Sequence, residues 1–266
     1  MPDTDLAGRA QLMLDAARAA GERSLEYFQR ADLAVDWKPN STEVTEADRQ
    51  GELLIRAMIE EYFPDDAVVG EEHAPRAGKS GWTWFIDPID GTRSFSHGVP
   101  LYSVLIGVQN GERIEAGVIE LPALGERVYA VERGGAWWER SGKPRIAARV
   151  SSCDRLDRAL LCTTSFDYYK KSDRIAHLDR LNAAAGSVRG WSDAYLFALA
   201  ATGRVDVAID PVMNPWDNGP FPVIFREAGG VFSSWSGEDR IDCGDGLAAN
   251  PVLHAQVLGL LKSLQT

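Results

Sequence analysis

Residues 82–140 contain a series of short apolar runs separated by turn-forming residues, and this pattern restricts the fold more than any other feature of the chain. The run Tyr102–Val108 leads to Asn110-Gly111, a dipeptide typical of the two-residue turns that join antiparallel strands. The other runs of this kind are Trp82–Ile86, Glu115–Glu120, Arg127–Glu132 and Ala136–Glu139, with a further turn at Gly134-Gly135. Runs so spaced indicate consecutive strands. We therefore predict a largely antiparallel meander over residues 82–140.

Helical patterns lie on both sides of this meander. Apolar side chains recur at helical spacing over the first 30 residues, and Thr45 with Asp48 three residues later resembles a capping box that begins a second helix. Beyond the meander, predicted strands (159–164, 205–210, 231–235) alternate with predicted helices (174–185, 192–202, 219–228, 251–264). These patterns predict an α+β protein with two tightly packed lobes, an N-terminal α+β lobe over residues 1–145 and a C-terminal α/β lobe over residues 146–266.

The composition is that of a globular protein with an excess of acidic residues. Of its 266 residues, 28 are Lys or Arg and 39 are Asp or Glu, which gives a formal net charge of −11. Nucleic acids and anionic membranes bind basic surfaces, so we expect neither as the main partner. A small anionic ligand is not excluded by this argument.

The sequence carries no pattern typical of export or membrane insertion. No apolar run reaches the roughly 18 residues that span a bilayer, and the charged N-terminal segment does not resemble a signal peptide. Cys153, Cys162 and Cys243 form no CxxC pair and do not suggest a disulfide framework. We therefore expect a cytoplasmic protein.

The segment Trp84–Thr92 places two carboxylates on one turn. An apolar strand ends on Asp87 at the predicted edge of the sheet, and Asp90 follows three residues later. Gly91-Thr92 then opens a short predicted helix, Arg93–His97, and the free N–H groups of a helix start favour a phosphate. Two carboxylates and a phosphate repel one another unless cations intervene, and hard oxygen ligands favour Mg²⁺.

Two further acidic segments could complete such a site. The apolar run Val68–Gly70 ends in Glu71 and Glu72, and Pro215-Trp216 is followed by Asp217. Taken alone, an acid in either place is more often a helix cap or a solvated side chain than a ligand. Sequence spacing does not show whether these acids converge.

Taken in order, these motifs resemble those of the inositol monophosphatase family of metal-dependent, lithium-sensitive phosphatases. The matching residues are Gly70-Glu71-Glu72, Asp87-Pro88-Ile89-Asp90-Gly91-Thr92, Trp216-Asp217 and Glu227-Ala228-Gly229-Gly230, with Lys38 and Val44-Thr45-Glu46-Ala47-Asp48 upstream. The resemblance extends from about residue 9 to residue 260. It implies a layered α/β/α/β/α sandwich of the type shared with fructose-1,6-bisphosphatase, and a homodimer.

The resemblance also implies a magnesium site. Its ligands for two to three Mg²⁺ ions, with Mn²⁺ as an alternative ion, are Glu71, Asp87, the carbonyl of Ile89, Asp90, Asp217 and, through water, Asp48. Asp87, Gly91 and Thr92 hold the phosphate, and Glu72 supports the site without touching the metal. Many relatives carry an Asp two residues after the lysine, where this chain has Asn40, and this departure puts the hold on the third ion in question.

The chemistry implied by these positions is hydrolysis of a phosphate monoester by a metal-activated water. Glu71 and Thr92 orient and deprotonate that water, and Asp90 holds the water that protonates the leaving alkoxide. No covalent phospho-enzyme is implied. A protein that only binds phosphometabolites is the alternative from another class, and it has no need of both a base and a bridging ligand.

Two segments bear on the choice of substrate. Arg93-Ser94-Phe95, and Arg189-Gly190 followed by Asp193, resemble the histidinol-phosphate phosphatase branch of the family. An acid that faces the leaving group suits a cationic amino alcohol, although Asp is also an ordinary residue in the first turn of a helix. The residues expected to contact substrate are Asp90, Arg189, Asp193, Asp210 and Asp217. Histidinol phosphate is the preferred substrate, and inositol phosphates, 3′-phosphoadenosine 5′-phosphate and sugar phosphates are the alternatives.

Overall fold

A computed structural model describes residues 4–38 and 43–263 of the chain. Its helices are α1 (Thr4–Leu25), α2 (Glu46–Tyr62), α3 (Thr92–Ser96), α4 (Phe166–Lys171), α5 (Ile175–Ala184), α6 (Asp193–Ala201), α7 (Pro215–Asn218), α8 (Phe221–Glu227) and α9 (Pro251–Lys262). Its strands are β1 (Val35–Trp37), β2 (Glu43–Thr45), β3 (Ala67–Gly70), β4 (Trp82–Asp90), β5 (Ser103–Asn110), β6 (Arg113–Leu121), β7 (Glu126–Val131), β8 (Gly135–Arg140), β9 (Lys143–Ala147), β10 (Leu160–Thr163), β11 (Ser187–Gly190), β12 (Val207–Asp210), β13 (Val231–Ser233) and β14 (Gly246–Ala249).

The predicted meander forms most of a seven-stranded sheet in the order β3-β4-β5-β6-β7-β8-β9. Strand β3 pairs with β4 in parallel, and every later pair is antiparallel. Both faces of the sheet are covered, because alternate residues of one strand enter different clusters. Val104 and Ile106 pack towards α1 and α2, whereas Leu105 packs towards α6 and α8. Burial on both faces explains why β5 reads as a continuous apolar run.

A second sheet has five strands in the order β11-β10-β12-β14-β13. Strand β10 runs parallel to both of its neighbours, and β14 is antiparallel to β12 and β13. One face packs on α6 and α8, and the other packs on α5 and α9 through Leu181, Leu253 and Val257. The layers are therefore α1/α2, first sheet, α6/α8, second sheet, α5/α9. This confirms the α+β fold and its layered α/β/α/β/α arrangement.

Helix α8 ties the two sheets together. The Arg226 guanidinium donates to Glu132 at 2.7 and 3.1 Å, and the Glu227 carboxylate accepts the backbone N–H groups of Arg133 and Gly135, both at 2.9 Å. Strand β9 extends across residue 145, and the second sheet begins at Leu160. A lobe boundary in this region stays a prediction, because α6 and α8 form one layer shared by both sheets.

Two features of the strands differ from the sequence-based prediction. The strand expected to end on Asp87 continues to Asp90, with its register against β5 shifted between these two residues. Strands β9 and β14 were missed because β9 is an exposed edge rich in basic residues and β14 is made mostly of small residues, so neither shows an alternating apolar pattern. The three cysteines are free. Within the described ranges, no helix combines the length and the apolarity that crossing a bilayer requires.

Candidate active site

The irregular end of β4 places two acids in one buried turn. Asp87 is only 2% exposed, and its Oδ1 accepts the backbone N–H of Ile89 at 3.0 Å. Asp90 Oδ2 accepts the Ser103 hydroxyl at 3.1 Å and the backbone N–H of Ala194 at 2.7 Å. Protein donors therefore anchor one oxygen of each carboxylate. The contact with Ala194 also joins the first sheet to the start of α6.

Gly91 and Thr92 follow directly. Gly91 has φ +80° and ψ 42°, a left-handed conformation that favours glycine, and it precedes the first residue of α3. The Thr92 hydroxyl lies 3.0 Å from Asp48 Oδ1 and 3.1 Å from the carbonyl oxygen of Ile89. The Thr92 hydroxyl thus connects the start of α3 with α2 and with the acidic turn.

Asp48 is fully buried at the start of α2. Its Oδ2 accepts the Thr45 backbone N–H at 2.7 Å and the Thr45 hydroxyl at 2.6 Å, which confirms the predicted capping box. Burial raises the pKa of Asp48 to about 6, with a further contribution from the nearby Glu71, although its hydrogen bonds act in the opposite direction.

Glu71 and Glu72 follow β3 and share one cationic partner. The Lys38 ammonium lies 2.7 Å from Glu71 Oε1 and 2.6 Å from Glu72 Oε1. Burial raises the pKa of Glu72 to about 7, and repulsion from Glu71 adds to the effect. Burial lowers the pKa of Lys38, but its attraction to both glutamates outweighs this and leaves it above the ordinary value. Lys38 is therefore a charged partner of this turn.

A buried glutamate on α2, which the sequence did not indicate, accepts backbone hydrogen bonds from the same turn. Glu52 is fully buried, and its carboxylate accepts the backbone N–H of Glu72 at 2.6 Å and that of His73 at 3.2 Å. Arg56 neutralises it at 2.6 Å. A Cβ at position 70 would lie 2.2 Å from Glu52 Oε1, so Gly70 leaves room for this contact. The only sequence signal was an acid at a buried helical position.

Asp217 reaches the same region from the second half of the chain. It lies in the first turn of α7, where its Oδ2 accepts the backbone N–H of Asn214 at 2.7 Å and the Asn214 side chain at 3.2 Å. It also lies near Asp87, which influences its pKa. Burial raises the pKa of Asp217 to about 7, and Glu71 contributes to this shift. The helix-cap interpretation and the site interpretation are therefore both compatible with Asp217.

The acids around this turn raise one another's pKa values. Burial raises the pKa of Asp87 well above its ordinary value, and Glu71, Asp90 and Asp217 raise it further. Burial raises that of Asp90 too, with contributions from Asp193 and Asp217. So many close carboxylates cannot all be ionised at neutral pH unless cations join them.

The oxygen-rich donor set and its excess negative charge fit a hard divalent cation such as Mg²⁺. In the described part of the chain, no three His, Cys, Asp or Glu side chains are already grouped as a metal site. Backbone donors, the Ser103 hydroxyl and the Lys38 ammonium engage oxygens of Asp87, Asp90 and Glu71.

One of the predicted substrate residues, Asp193, lies against the same turn, and a second, Asp210, is electrostatically coupled to Asp193. A Cβ on Gly91 would lie 2.8 Å from Asp193 Oδ2, so the Asp193 carboxylate lies against Asp90-Gly91-Thr92, which we call the DGT turn. Asp210, at the end of β12, is 4% exposed, and burial raises its pKa well above the ordinary value, with Asp193 and Asp217 adding to the shift. Tyr168 on α4, which the sequence did not indicate, is also near both, since they raise its pKa after burial does.

Arg189 is not brought into this group. It lies on β11, at the edge of the second sheet, with an exposed side chain that donates to the backbone carbonyl of Val188 at 2.8 Å. Its predicted contact with substrate therefore has no support from this geometry. Asn40, the departure noted in the first motif, lies outside the described residues.

Fold and site together define a class of protein: a layered sandwich in which acids from α2, β3, β4 and α7 surround the start of a short helix. A model of the inositol monophosphatase family matches residues 6–266. The chain therefore belongs to the inositol monophosphatase family. It is a phosphatase of that family, whose members are generally Mg²⁺-dependent and act on small phosphate substrates.

Individual relatives agree with this assignment. A protein named histidinol-phosphatase from Chlorobaculum parvum is 43% identical over 240 residues, covering 90% of each chain. A histidinol-phosphatase from Streptomyces coelicolor is 34% identical over 266 residues, covering 98% of each. Among solved structures, the extragenic suppressor protein SuhB from Bartonella henselae matches with a TM-score of 0.85 and 27% identity, covering 95% of this chain and 97% of that one.

Proposed function

We propose that the chain hydrolyses histidinol phosphate to histidinol and phosphate. The position of Asp193 carries this proposal. Its carboxylate lies against Gly91, at the expected phosphate seat, and close enough to Asp90 and Asp210 to raise the pKa of both. An acid in this place attracts an ammonium group on the leaving alcohol and gains little from a neutral polyol. Two relatives that carry the name histidinol-phosphatase support the same substrate.

Each acid has a separate task in this proposal. Asp87, Asp90, Asp217, Glu71 and the carbonyl of Ile89 would hold two Mg²⁺ ions, with a weaker third near Asp48 and with Mn²⁺ as a substitute. When bound, the ions would neutralise charge on the phosphoryl group and on the attacking and leaving oxygens.

Side chains and backbone N–H groups of the chain perform the other steps of the reaction. Glu71 accepts a proton from the attacking water, and Thr92, whose hydroxyl is fixed between Asp48 and Ile89, orients that water. The N–H groups of Gly91 and Thr92 seat the phosphate. Asp90 is anchored through Oδ2 and holds the water that protonates the leaving oxygen. We further propose a cytoplasmic homodimer.

A comparison of phosphate esters tests the substrate. The measurement is kcat/KM for histidinol phosphate, inositol 1-phosphate, 3′-phosphoadenosine 5′-phosphate and an aryl phosphate, for the parent and for Asp193→Asn. We expect histidinol phosphate to be hydrolysed best. Losing a charged hydrogen-bonding partner should reduce its kcat/KM by about 10- to 100-fold, and that of the other esters much less. Equal losses of kcat/KM for all four esters would show that Asp193 does not select the substrate.

A further inference from the structure

The carboxylate of Asp193 is held in place by side-chain hydroxyls. Ser192 donates to Asp193 Oδ2 at 3.0 Å, and Thr164 donates to Asp193 Oδ1 at 2.9 Å. Ser94, on α3, lies 2.8 Å from the Ser192 hydroxyl. We call these three side chains (Ser94, Thr164 and Ser192) the hydroxyl network. They connect the start of α3, the end of β10 and the turn before α6 through one acid.

The direction of the hydrogen bonds follows from chemistry. An ionised carboxylate can only accept, so Ser192 must use its single hydroxyl proton on Asp193. Ser94 must then donate its own proton to Ser192. Ser94 therefore acts on Asp193 through Ser192, although the two residues share no direct hydrogen bond. Ser94 of the Arg93-Ser94-Phe95 segment and Asp193, which follows Arg189-Gly190, therefore belong to one hydrogen-bonded unit. They are 99 positions apart in the sequence.

The backbone at this point is strained. Ser192 has φ 48° and Asp193 has φ 23°, and both are non-glycine residues in a region that L-amino acids rarely adopt. Such conformations persist only where surrounding contacts enforce them, and they concentrate at functional positions. Here the strained pair places the Asp193 carboxylate against Gly91 and the Ala194 N–H on Asp90.

Without these contacts the acid would not stay in position. Asp90 accepts the N–H of Ala194, the residue that follows Asp193, so two carboxylates lie near each other here, and like charges repel. We propose that the hydroxyl network is a specificity device that holds Asp193 at the leaving-group side of the phosphate seat and so selects esters of cationic alcohols. This inference rests on the proposed function and assigns positioning roles to residues outside its catalytic set.

The test uses a pair of esters that differ in the charge of the alcohol. The selectivity ratio is kcat/KM for O-phosphoethanolamine divided by that for glycerol 2-phosphate, both with Mg²⁺. Ser94→Ala should lower this ratio about 3- to 10-fold, and Ser94→Thr, which keeps the hydroxyl, should restore it. Ser96→Ala is the matched control, because Ser96 lies on the same helix but donates to Glu43. An unchanged ratio in Ser94→Ala would overturn the proposal.

Two further comparisons separate positioning from folding. In the Asp193→Asn background, Ser94→Ala should lower the ratio no further, because its effect passes through Asp193. Ser192→Ala and Ser192→Gly both remove the hydroxyl and should lower the ratio equally, whereas the glycine variant should have the higher Tm because it relieves the positive φ. Additive losses in the double variant would contradict the proposal.

The identity of the best substrate is tested separately from the hydroxyl network. If the parent hydrolyses inositol 1-phosphate better than histidinol phosphate, the proposed function fails. Even then, if the hydroxyl network positions Asp193, Ser94→Ala and Asp193→Asn should both lower the selectivity ratio. If the parent prefers histidinol phosphate and Ser94→Ala leaves the ratio unchanged, the network alone is wrong.

Discussion

At the scale of single residues, the acids around the DGT turn differ in what supports them. Asp87, Asp90 and Asp217 each have an oxygen anchored by backbone N–H groups, and Glu71 depends on a turn that Glu52 holds. The sequence predicted the acids themselves, because the motifs carry them. It did not predict Glu52, since a glutamate on a helix is ordinarily solvated and only the fold buries it beneath the turn.

Glu52→Gln should therefore weaken metal binding without abolishing folding. The Glu72 and His73 N–H groups bind different oxygens of Glu52, and an amide replaces one of these oxygens with an NH2 donor, so the turn that carries Glu71 loosens. Groups that orient metal ligands typically contribute 10- to 100-fold in affinity, and we expect the Mg²⁺ dissociation constant to rise by about 10-fold. Calorimetric titration with Mg²⁺ measures this. Glu61→Gln, an exposed acid on the same helix, is the control, and equal affinities in both variants would refute the role of Glu52.

At the scale of elements, helix α1 is fixed to the first sheet by a buried charged cluster. The Arg9 guanidinium makes two hydrogen bonds to Asp66, at 2.7 and 2.8 Å, and Asp66 also accepts Ser80 at 2.6 Å and the Trp84 indole at 2.8 Å. The amphipathic pattern predicted α1 and its apolar face. It did not predict this cluster, whose members are far apart in sequence and meet only when α1 packs on β4.

Asp66→Asn should destabilise the protein strongly. It leaves the buried Arg9 with only the exposed Asp5, at 3.5 Å, as counter-charge, and breaking a buried pair of this kind costs about 3–5 kcal/mol. The free energy of unfolding in urea measures the effect. Asp65→Asn, a change at the neighbouring exposed acid, is the control. A loss as small as that of Asp65→Asn would show that the pair contributes little.

Stability should also depend on pH through Asp66. Burial raises its pKa, but the donors Arg9, Ser80 and Trp84 outweigh this and hold it below the ordinary value of 3.8. The unfolded chain then binds this proton more readily than the folded one. The contribution of Asp66 is complete above the unfolded pKa and is lost as pH falls through the lower folded value. Urea unfolding should therefore show a steeper loss below about pH 4 in the parent than in Asp66→Asn.

At the scale of the whole molecule, the net charge of −11 is concentrated partly in one place. Four carboxylates (Glu71, Asp87, Asp90 and Asp217) are close enough to influence one another electrostatically, and two divalent cations would neutralise them. The order of the motifs predicted the layered fold and the acids. The convergence of residues from both halves of the chain depends on α6, α7 and α8 packing between the sheets, and no local pattern encodes that packing.

Mg²⁺ should accordingly stabilise the folded protein. A ligand that binds only the folded state adds about 2.7 kcal/mol at 100 times its dissociation constant, which raises Tm by several degrees. Scanning calorimetry with EDTA and then with excess Mg²⁺ measures the shift. We expect a smaller shift in Asp87→Asn, which removes a central ligand. An identical Tm in EDTA and in Mg²⁺ would contradict a metal site at these acids.

Metal-dependent hydrolysis at these acids is measured by the release of inorganic phosphate. The parent and Asp87→Asn are each incubated with histidinol phosphate, in Mg²⁺ and in EDTA, after circular dichroism has shown both to be folded. We expect release by the parent in Mg²⁺, none in EDTA, and a loss of at least about 100-fold in Asp87→Asn, since removing one transition-state charge contact costs about this much. Release by the parent in EDTA, or an undiminished rate in Asp87→Asn, would contradict it.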